Sequence, residues 1–126
     1  MMKLSDLKDN SKLVELADSN DKIIKNKGIK ANQLRNILEF LIKIKLEYKT
    51  DLINQNQKDA ENKLKQKLQL LRIRLAYAKG KKSEMQFVKD LIEPLINDVD
   101  TYEDFEKLYK FFEGIISYHK YYGGGK

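Results

Sequence analysis

Basic side chains recur at a helical spacing in the middle of the chain. They form two sets, the first spaced by seven residues: Lys58, Lys65, Arg72 and Lys79, then Lys63, Lys67, Arg74 and Lys81. Seven residues nearly complete two turns of an α-helix, so each set predicts a stripe along one helix. Residues 60–82 contain eight basic residues and one acidic residue. Like charges one or two turns apart repel, so a nearly pure basic helix favours an anionic partner, with nucleic acid as the first candidate.

Two other interpretations of the charge pattern stay open. The basic residues also fit the solvated flanks of a buried leucine seam, as at the edges of coiled coils. Residues 83–104, by contrast, contain seven acidic residues and one basic residue. A basic face and an acidic face on one chain favour head-to-tail contact between copies. Helix-start carboxylates interacting with the N-terminal dipole account for part of the same acidic segment.

Catalytic chemistry has little support in the sequence. The chain has no cysteine and a single histidine, His119, which excludes thiolate nucleophiles, disulfides and multi-histidine metal sites within one chain. Ser117 lies two residues away, a spacing that places the two side chains on different sides of a helix. We therefore expect no enzyme, no metal and no cofactor, and interpret His119 as packed or in contact with RNA. Tyr121 and Tyr122 are the aromatic residues best placed for a surface role.

Helical periodicity and scarce turn residues predict an all-α protein, a compact bundle of four to five helices. Residues 30–122 form the predicted bundle and 123–126 a glycine-rich tail. Residues 1–29 form a predicted N-terminal arm that could hold a short helix in 4–18, followed by a linker over 19–29. Clear helices are expected over 31–49, 60–79, 83–99 and 101–122. The predicted boundary signals are a cap at Gly80, capping boxes at Ser83–Gln86 and Thr101–Asp104, and a kink or restart at Pro94.

Membrane insertion and secretion are not expected. The longest uninterrupted apolar run is four residues, Leu75 to Ala78, whereas a membrane-spanning helix needs about 20. Asp6 and Asp9 lie where a secretory signal would be apolar. We therefore expect an intracellular, soluble, cytoplasmic protein.

Three blocks together resemble the small-subunit family of the type III-A CRISPR effector, the Csm complex. They are Lys30-Ala31-Asn32-Gln33-Leu34-Arg35, then Arg72-Ile73-Arg74-Leu75-Ala76-Tyr77-Ala78-Lys79-Gly80-Lys81, and finally Ser117-Tyr118-His119-Lys120-Tyr121-Tyr122-Gly123-Gly124. Their order matches the family from residue 30 to the end, and 1–29 lie outside the resemblance. Ala31-Asn32 replaces the usual hydroxyl residues, and Lys81 replaces an arginine.

The resemblance implies a non-catalytic subunit. In that family, several copies stack along a filament of the backbone subunit and line the path of target RNA paired with the CRISPR RNA. The implied partners are that RNA duplex, the Csm backbone and large subunits, and further copies of the chain. We expect two groups of RNA-binding residues: Arg72, Arg74, Lys79 and Lys81, then Gln33, Arg35, His119 and Lys120. The alternatives are a protein-interaction helical module and a stand-alone, non-specific nucleic-acid-binding protein.

Overall fold

The structure, a computed structural model, describes residues 2–123 and contains five α-helices and no strand within them. The helices are α1 (Asn10–Asn26), α2 (Ala31–Asn54), α3 (Gln57–Lys81), α4 (Gln86–Asp98) and α5 (Tyr102–Tyr121). Short 3-10 turns over Leu4–Leu7 and Ser83–Met85 precede α1 and α4. The prediction of an all-α bundle of four to five helices is confirmed.

An antiparallel hairpin of α2 and α3 forms one side of the bundle. The two helices are separated only by Gln55 and Asn56. The Asn56 side chain accepts a hydrogen bond from the Asp59 N–H and thereby caps α3. The buried apolar positions are Leu34, Ile37, Leu41, Ile44 and Tyr48 in α2, and Leu64, Leu68, Leu71 and Leu75 in α3. The 3, 4 spacing of α2 also predicts Ile42 and Leu46 on the buried face, and this is wrong, because both side chains are exposed.

The N-terminal segment is more helical than its sequence predicted. The linker expected over 19–29 is wrong, because α1 continues to Asn26 and ends before Gly28, whose φ is +76°. Helix α1 packs on α5 through Leu13, Ala17 and Ile24, all buried. Asp21, a polar residue, occupies the buried position between Ala17 and Ile24. It interrupts the apolar spacing, so the sequence does not reveal the buried face of this helix. Whether residues 1–29 act as a separate arm stays a prediction.

The junction between α3 and α4 also departs from the predicted signals. Gly80 does not end α3, which continues to Lys81. Ser83 makes no capping hydrogen bond and begins the 3-10 turn instead. Pro94 lies inside α4, so no new helix begins there. The alternative, a kink at Pro94, stays a prediction. A glycine inside a helix costs only about 1 kcal/mol, which neighbouring turns of a long helix readily offset.

Helix α5 closes the bundle and begins where the sequence predicted. Thr101 and Asp104 form a reciprocal capping box, the threonine hydroxyl accepting from the Asp104 N–H at 3.2 Å. Phe105 and Phe112 are fully buried, as expected, and Tyr109 packs half-buried against the core. The predicted tail at 123–126 falls mostly on 124–126, which lie outside the described residues.

Candidate nucleic-acid interface

Two of the four cations in the α3 stripe that faces α4 form ion pairs within the chain. Lys65 Nζ lies 3.0 Å from Asp100 Oδ1, and Arg72 Nε lies 3.1 Å from Glu93 Oε2. Lys89 shares the same glutamate at 2.6 Å. The Lys89 ammonium, followed by the Arg72 guanidinium, holds the pKa of Glu93 below its ordinary value. The acidic segment therefore provides internal partners for half of this stripe, which continues through the exposed Lys79 by register.

The second stripe faces α2, and three of its four cations, Lys63, Arg74 and Lys81, have no carboxylate within ion-pair distance in the described part of the chain. Lys67 pairs with Glu47 at 3.4 Å and with Asp51 at 3.3 Å. One turn or more further along α3, the Arg74 guanidinium carbon lies 4.6 Å from the ring centroid of Phe40. Lys81 Nζ lies 5.4 Å from the ring centroid of Tyr77. Among residues 2–123, no carboxylate lies within ion-pair distance of Arg74 or Lys81.

These two cations line a groove between α2 and α3, which we call the α2–α3 groove. Its volume is about 800 Å³. The charged side chains of its lining are Glu39, Lys43, Arg74, Lys81 and Lys82, a clear excess of positive charge. Six apolar and aromatic residues, Ile37, Phe40, Ile73, Tyr77, Ala78 and Met85, also line the groove, together with the amides Gln33 and Asn36. Such a basic, partly apolar groove is suited to an anionic ligand that also carries flat or apolar parts.

The structure brings together three of the eight predicted RNA-binding residues. Gln33, Arg74 and Lys81 all line the α2–α3 groove. Arg72 and Lys79 lie on the α4-facing stripe instead. Arg35 and Lys120 are exposed on α2 and α5, outside the groove lining. The periodicity of α3 predicts both stripes, but only the contacts with other helices show that Arg72 pairs with Glu93 whereas Arg74 lies against Phe40 in the α2–α3 groove.

The eighth predicted residue, His119, is buried, which corrects the expectation that its ring contacts RNA. Only 1 % of the residue is exposed. Its Nδ1 lies 2.8 Å from Asp21 Oδ1, and Asp21 is itself fully buried. Burial raises the pKa of the Asp21 carboxyl, and the neighbouring His119 opposes that rise. His119 thus packs between α1 and α5, which is the packed alternative of the sequence interpretation.

The two C-terminal tyrosines also differ in their roles. Tyr121 is 78 % exposed. Tyr122 is half-buried, and its hydroxyl donates a hydrogen bond to Asp18 Oδ1 at 2.5 Å. That bond, together with burial, raises the pKa of Tyr122 to about 12. Of the two, only Tyr121 is a surface aromatic, and it lies at the end of α5, outside the groove lining.

Sequence reasoning missed four groove residues. Lys43 and Lys82 lie outside the two stripes, and Phe40 and Tyr77 are not among the eight predicted RNA-binding residues. The signal for Lys43 and Phe40 is their register with Gln33 and Asn36, because positions 33, 36, 40 and 43 share one side of a helix. The sequence does not show that this side of α2 lines a groove, because the groove is formed together with α3.

Two classes of feature are absent from the part of the chain that the structure describes. No cluster of three or more histidine, aspartate or glutamate side chains is arranged to hold a metal ion. None of the described helices combines the length and the apolar character needed to cross a membrane.

Comparison with known proteins assigns the family. The model of the family described as Csm2 Type III-A matches residues 7–125. The chain therefore belongs to the Csm2 family, and it is a small subunit of the type III-A Csm complex of CRISPR systems. The match begins at residue 7 and so includes α1, although the resemblance in the sequence began only at residue 30. No curated protein and no solved structure matches the chain.

Proposed function

We propose that this subunit stacks in several copies along the backbone filament of the Csm complex and holds the CRISPR RNA–target RNA duplex by its phosphates. Its contribution to antiviral defence is then structural, in the cytoplasm, with no catalysis of its own. The observation that carries the proposal is the pair of uncompensated cations, Arg74 and Lys81, in the α2–α3 groove. Phosphate contacts position RNA without reading its sequence.

The proposed phosphate ligands fall into two tiers. Arg74 and Lys81 form the first tier, with Gln33 beside them, because the guanidinium and ammonium groups have no competing carboxylate. Arg72 and Lys79 form the second tier. The guanidinium of Arg72 already binds Glu93, and Lys79 lies outside the lining of the groove. Arg35 and Lys120 are exposed enough to touch RNA that extends beyond the groove.

A passive role is supported by the position of the one histidine. His119 is the side chain best suited to acid–base catalysis at neutral pH, but it is buried against Asp21 and out of reach of a substrate.

A protein-interaction module is the second candidate. Large apolar side chains are exposed on both hairpin helices, with Leu46 59 %, Ile53 84 % and Leu70 53 % exposed. Exposed apolar clusters mark protein contacts. A contact of this kind survives ribonuclease treatment, whereas assembly through RNA does not. A stand-alone nucleic-acid binder would instead bind RNA tightly and leave the Csm subunits unbound.

The experiment that tests the phosphate role is a salt titration of RNA binding. In the double variant Arg74→Glu/Lys81→Glu, we expect weaker binding to all RNA sequences alike. The slope of log affinity against log salt concentration should also become less steep. The expected change per lost phosphate contact is about 0.7 for single-stranded RNA and about 0.9 for a duplex with the charge density of B-DNA.

The matched control is Lys8→Glu/Lys110→Glu, which makes the same change of charge at exposed sites on other elements. A folded groove variant with wild-type binding and an unchanged slope contradicts the phosphate role. An equal loss in both double variants indicates a general charge effect and contradicts the groove as the site.

A further inference from the structure

The apolar wall of the α2–α3 groove is a feature that phosphate binding does not use. Ile73 is 67 % exposed and Tyr77 is 66 % exposed on the groove side of α3. Phe40 is half-buried on the facing side of α2. Cations alone would hold phosphates, so this wall requires a ligand that has an apolar surface as well as a negative charge.

Both aromatic rings of the groove already lie beside cations. Arg74 stacks over Phe40 and Lys81 lies over Tyr77, at 4.6 Å and 5.4 Å from the ring centroids. This arrangement combines π faces with phosphate-binding groups, the two elements found in single-stranded nucleic-acid sites. The volume of about 800 Å³ lies within the range of roughly 300–1,000 Å³ of small-ligand clefts.

We propose that the α2–α3 groove holds an unstacked nucleobase of the bound RNA against Tyr77, with Arg74 and Lys81 on its flanking phosphates. This inference rests on the proposed function and adds a substrate class to it. Bases inside a continuous duplex hide their faces from the protein. The groove therefore selects RNA in which at least one nucleotide has left the stack.

Charge favours RNA over a protein segment as the occupant. Four cations and one carboxylate line the groove, namely Lys43, Arg74, Lys81, Lys82 and Glu39. A nucleotide complements this pattern with one phosphate per base. An acidic amphipathic helix of a partner protein is the competing occupant, and it is an outcome of the test.

The test uses the full chain and two RNA duplexes that contain 2-aminopurine, a base whose fluorescence reports stacking. In one duplex the probe is a single-nucleotide bulge, and in the other it is paired. We expect the bulged RNA to bind more tightly, by about fivefold or more, with a fluorescence change on binding. Tyr77→Ala should abolish this preference and leave the salt slope unchanged, and Tyr77→Phe should retain it.

The control is Tyr121→Ala, which removes another exposed tyrosine, at the end of α5. Wild-type binding without a preference for the bulge overturns the inference but leaves the phosphate role intact. A loss of preference in Tyr121→Ala and not in Tyr77→Ala also overturns it. No RNA binding in the wild type, together with a ribonuclease-resistant protein contact that Tyr77→Ala weakens, overturns both proposals and identifies the partner helix.

Discussion

At the scale of single residues, the pairing of His119 with Asp21 explains why two polar side chains are buried, without invoking RNA. Each side chain has one buried polar atom without a hydrogen-bond partner, Nε2 of His119 and Oδ2 of Asp21. The contact between His119 Nδ1 and Asp21 Oδ1, at 2.8 Å, therefore offsets the free-energy cost of removing both side chains from water. Removing one partner leaves the other buried and unpaired.

We expect His119→Ala to lower the free energy of unfolding by roughly 3 kcal/mol, because Asp21 loses its hydrogen bond. The control is Lys120→Ala at the exposed neighbour, which should change stability by less than about 0.5 kcal/mol. Chemical denaturation of both variants measures the difference. Equal stability of the two variants would show that the buried pair contributes nothing.

The pH dependence of stability follows from the raised pKa of Asp21. The folded state binds this proton more tightly than the unfolded state, so the stabilisation is complete below the unfolded pKa. It is lost as the pH rises through the raised folded pKa. The free energy of unfolding should fall as the pH rises from the unfolded pKa of Asp21 to its folded pKa. Nearby Asp18 and Lys25 also act on this pKa, the first raising it and the second lowering it. Asp21→Asn should remove the fall. A pH profile that Asp21→Asn leaves unchanged would contradict this assignment.

Because Arg72 is paired with Glu93, we expect its substitution to weaken RNA binding less than substitution of Arg74. Breaking an exposed pair costs about 0.2–1 kcal/mol of stability, and the guanidinium is already compensated. Arg72→Glu should therefore weaken RNA binding less than Arg74→Glu, measured by the same binding titration. A larger loss in Arg72→Glu would move the interface to the α4-facing flank.

The sequence predicted this residue pattern only in part. Heptad spacing identified both basic stripes, because periodicity is a local property of one helix. It could not separate Arg72 from Arg74, since the acidic Glu93 and the aromatic Phe40 reach them from other helices. Asp21 was missed for the same reason, because its partner lies 98 positions away.

At the scale of elements, helix bodies were predictable and helix ends were less so. The start of α2 followed from apolar spacing, and the start of α5 followed from the Thr101–Asp104 capping box. The end of α2 did not, because the helix continues through a polar stretch to Asn54, beyond the predicted end at 49. Gly80 and Ser83 gave misleading end signals, because a glycine costs only about 1 kcal/mol in a helix and α3 ends one residue later, at Lys81. The polar Asp21 in a buried position concealed the second half of α1, which the sequence therefore predicted as a linker.

Alanine substitutions at Gly80 and Gly28 should change the free energy of unfolding in opposite directions. Gly80 lies inside α3, and the space that an added methyl group would occupy is open, so Gly80→Ala should raise the free energy of unfolding by about 0.5–1 kcal/mol. Gly28 has a φ of +76°, so Gly28→Ala should lower it by roughly 1–2 kcal/mol. Thermal unfolding of the two variants tests both signs. A lower melting temperature for Gly80→Ala would indicate that α3 ends before Lys81.

At the scale of the whole molecule, the internal pairing of acidic and basic segments limits how copies contact each other. Asp100 and Glu93 are occupied by Lys65 and Arg72. Under the proposed stacking, we expect contacts between copies to use the remaining exposed groups, including the apolar Leu46 and Ile53 of α2. The resemblance to the family rested on three short blocks, whereas periodicity and composition alone predicted only an all-α, basic domain.

Assembly can be measured by native mass spectrometry after co-expression with the backbone and large Csm subunits and a guide RNA. We expect several copies of this 14.8 kDa chain in one RNA-containing complex. Leu46→Asp/Ile53→Asp should lower the number of copies, and Lys8→Glu/Lys110→Glu should not. A complex that forms normally without the chain would contradict its proposed place in the filament.

The central claim is that RNA lies in the α2–α3 groove. Ultraviolet crosslinking of target RNA in the assembled complex, with crosslinked peptides identified by mass spectrometry, tests it most directly. Crosslinks should concentrate in residues 33–43 and 73–82, and Tyr77→Ala should diminish those in the second range. Crosslinks confined to the α4-facing flank of α3 or to α5, with the groove peptides free of RNA, would contradict the claim.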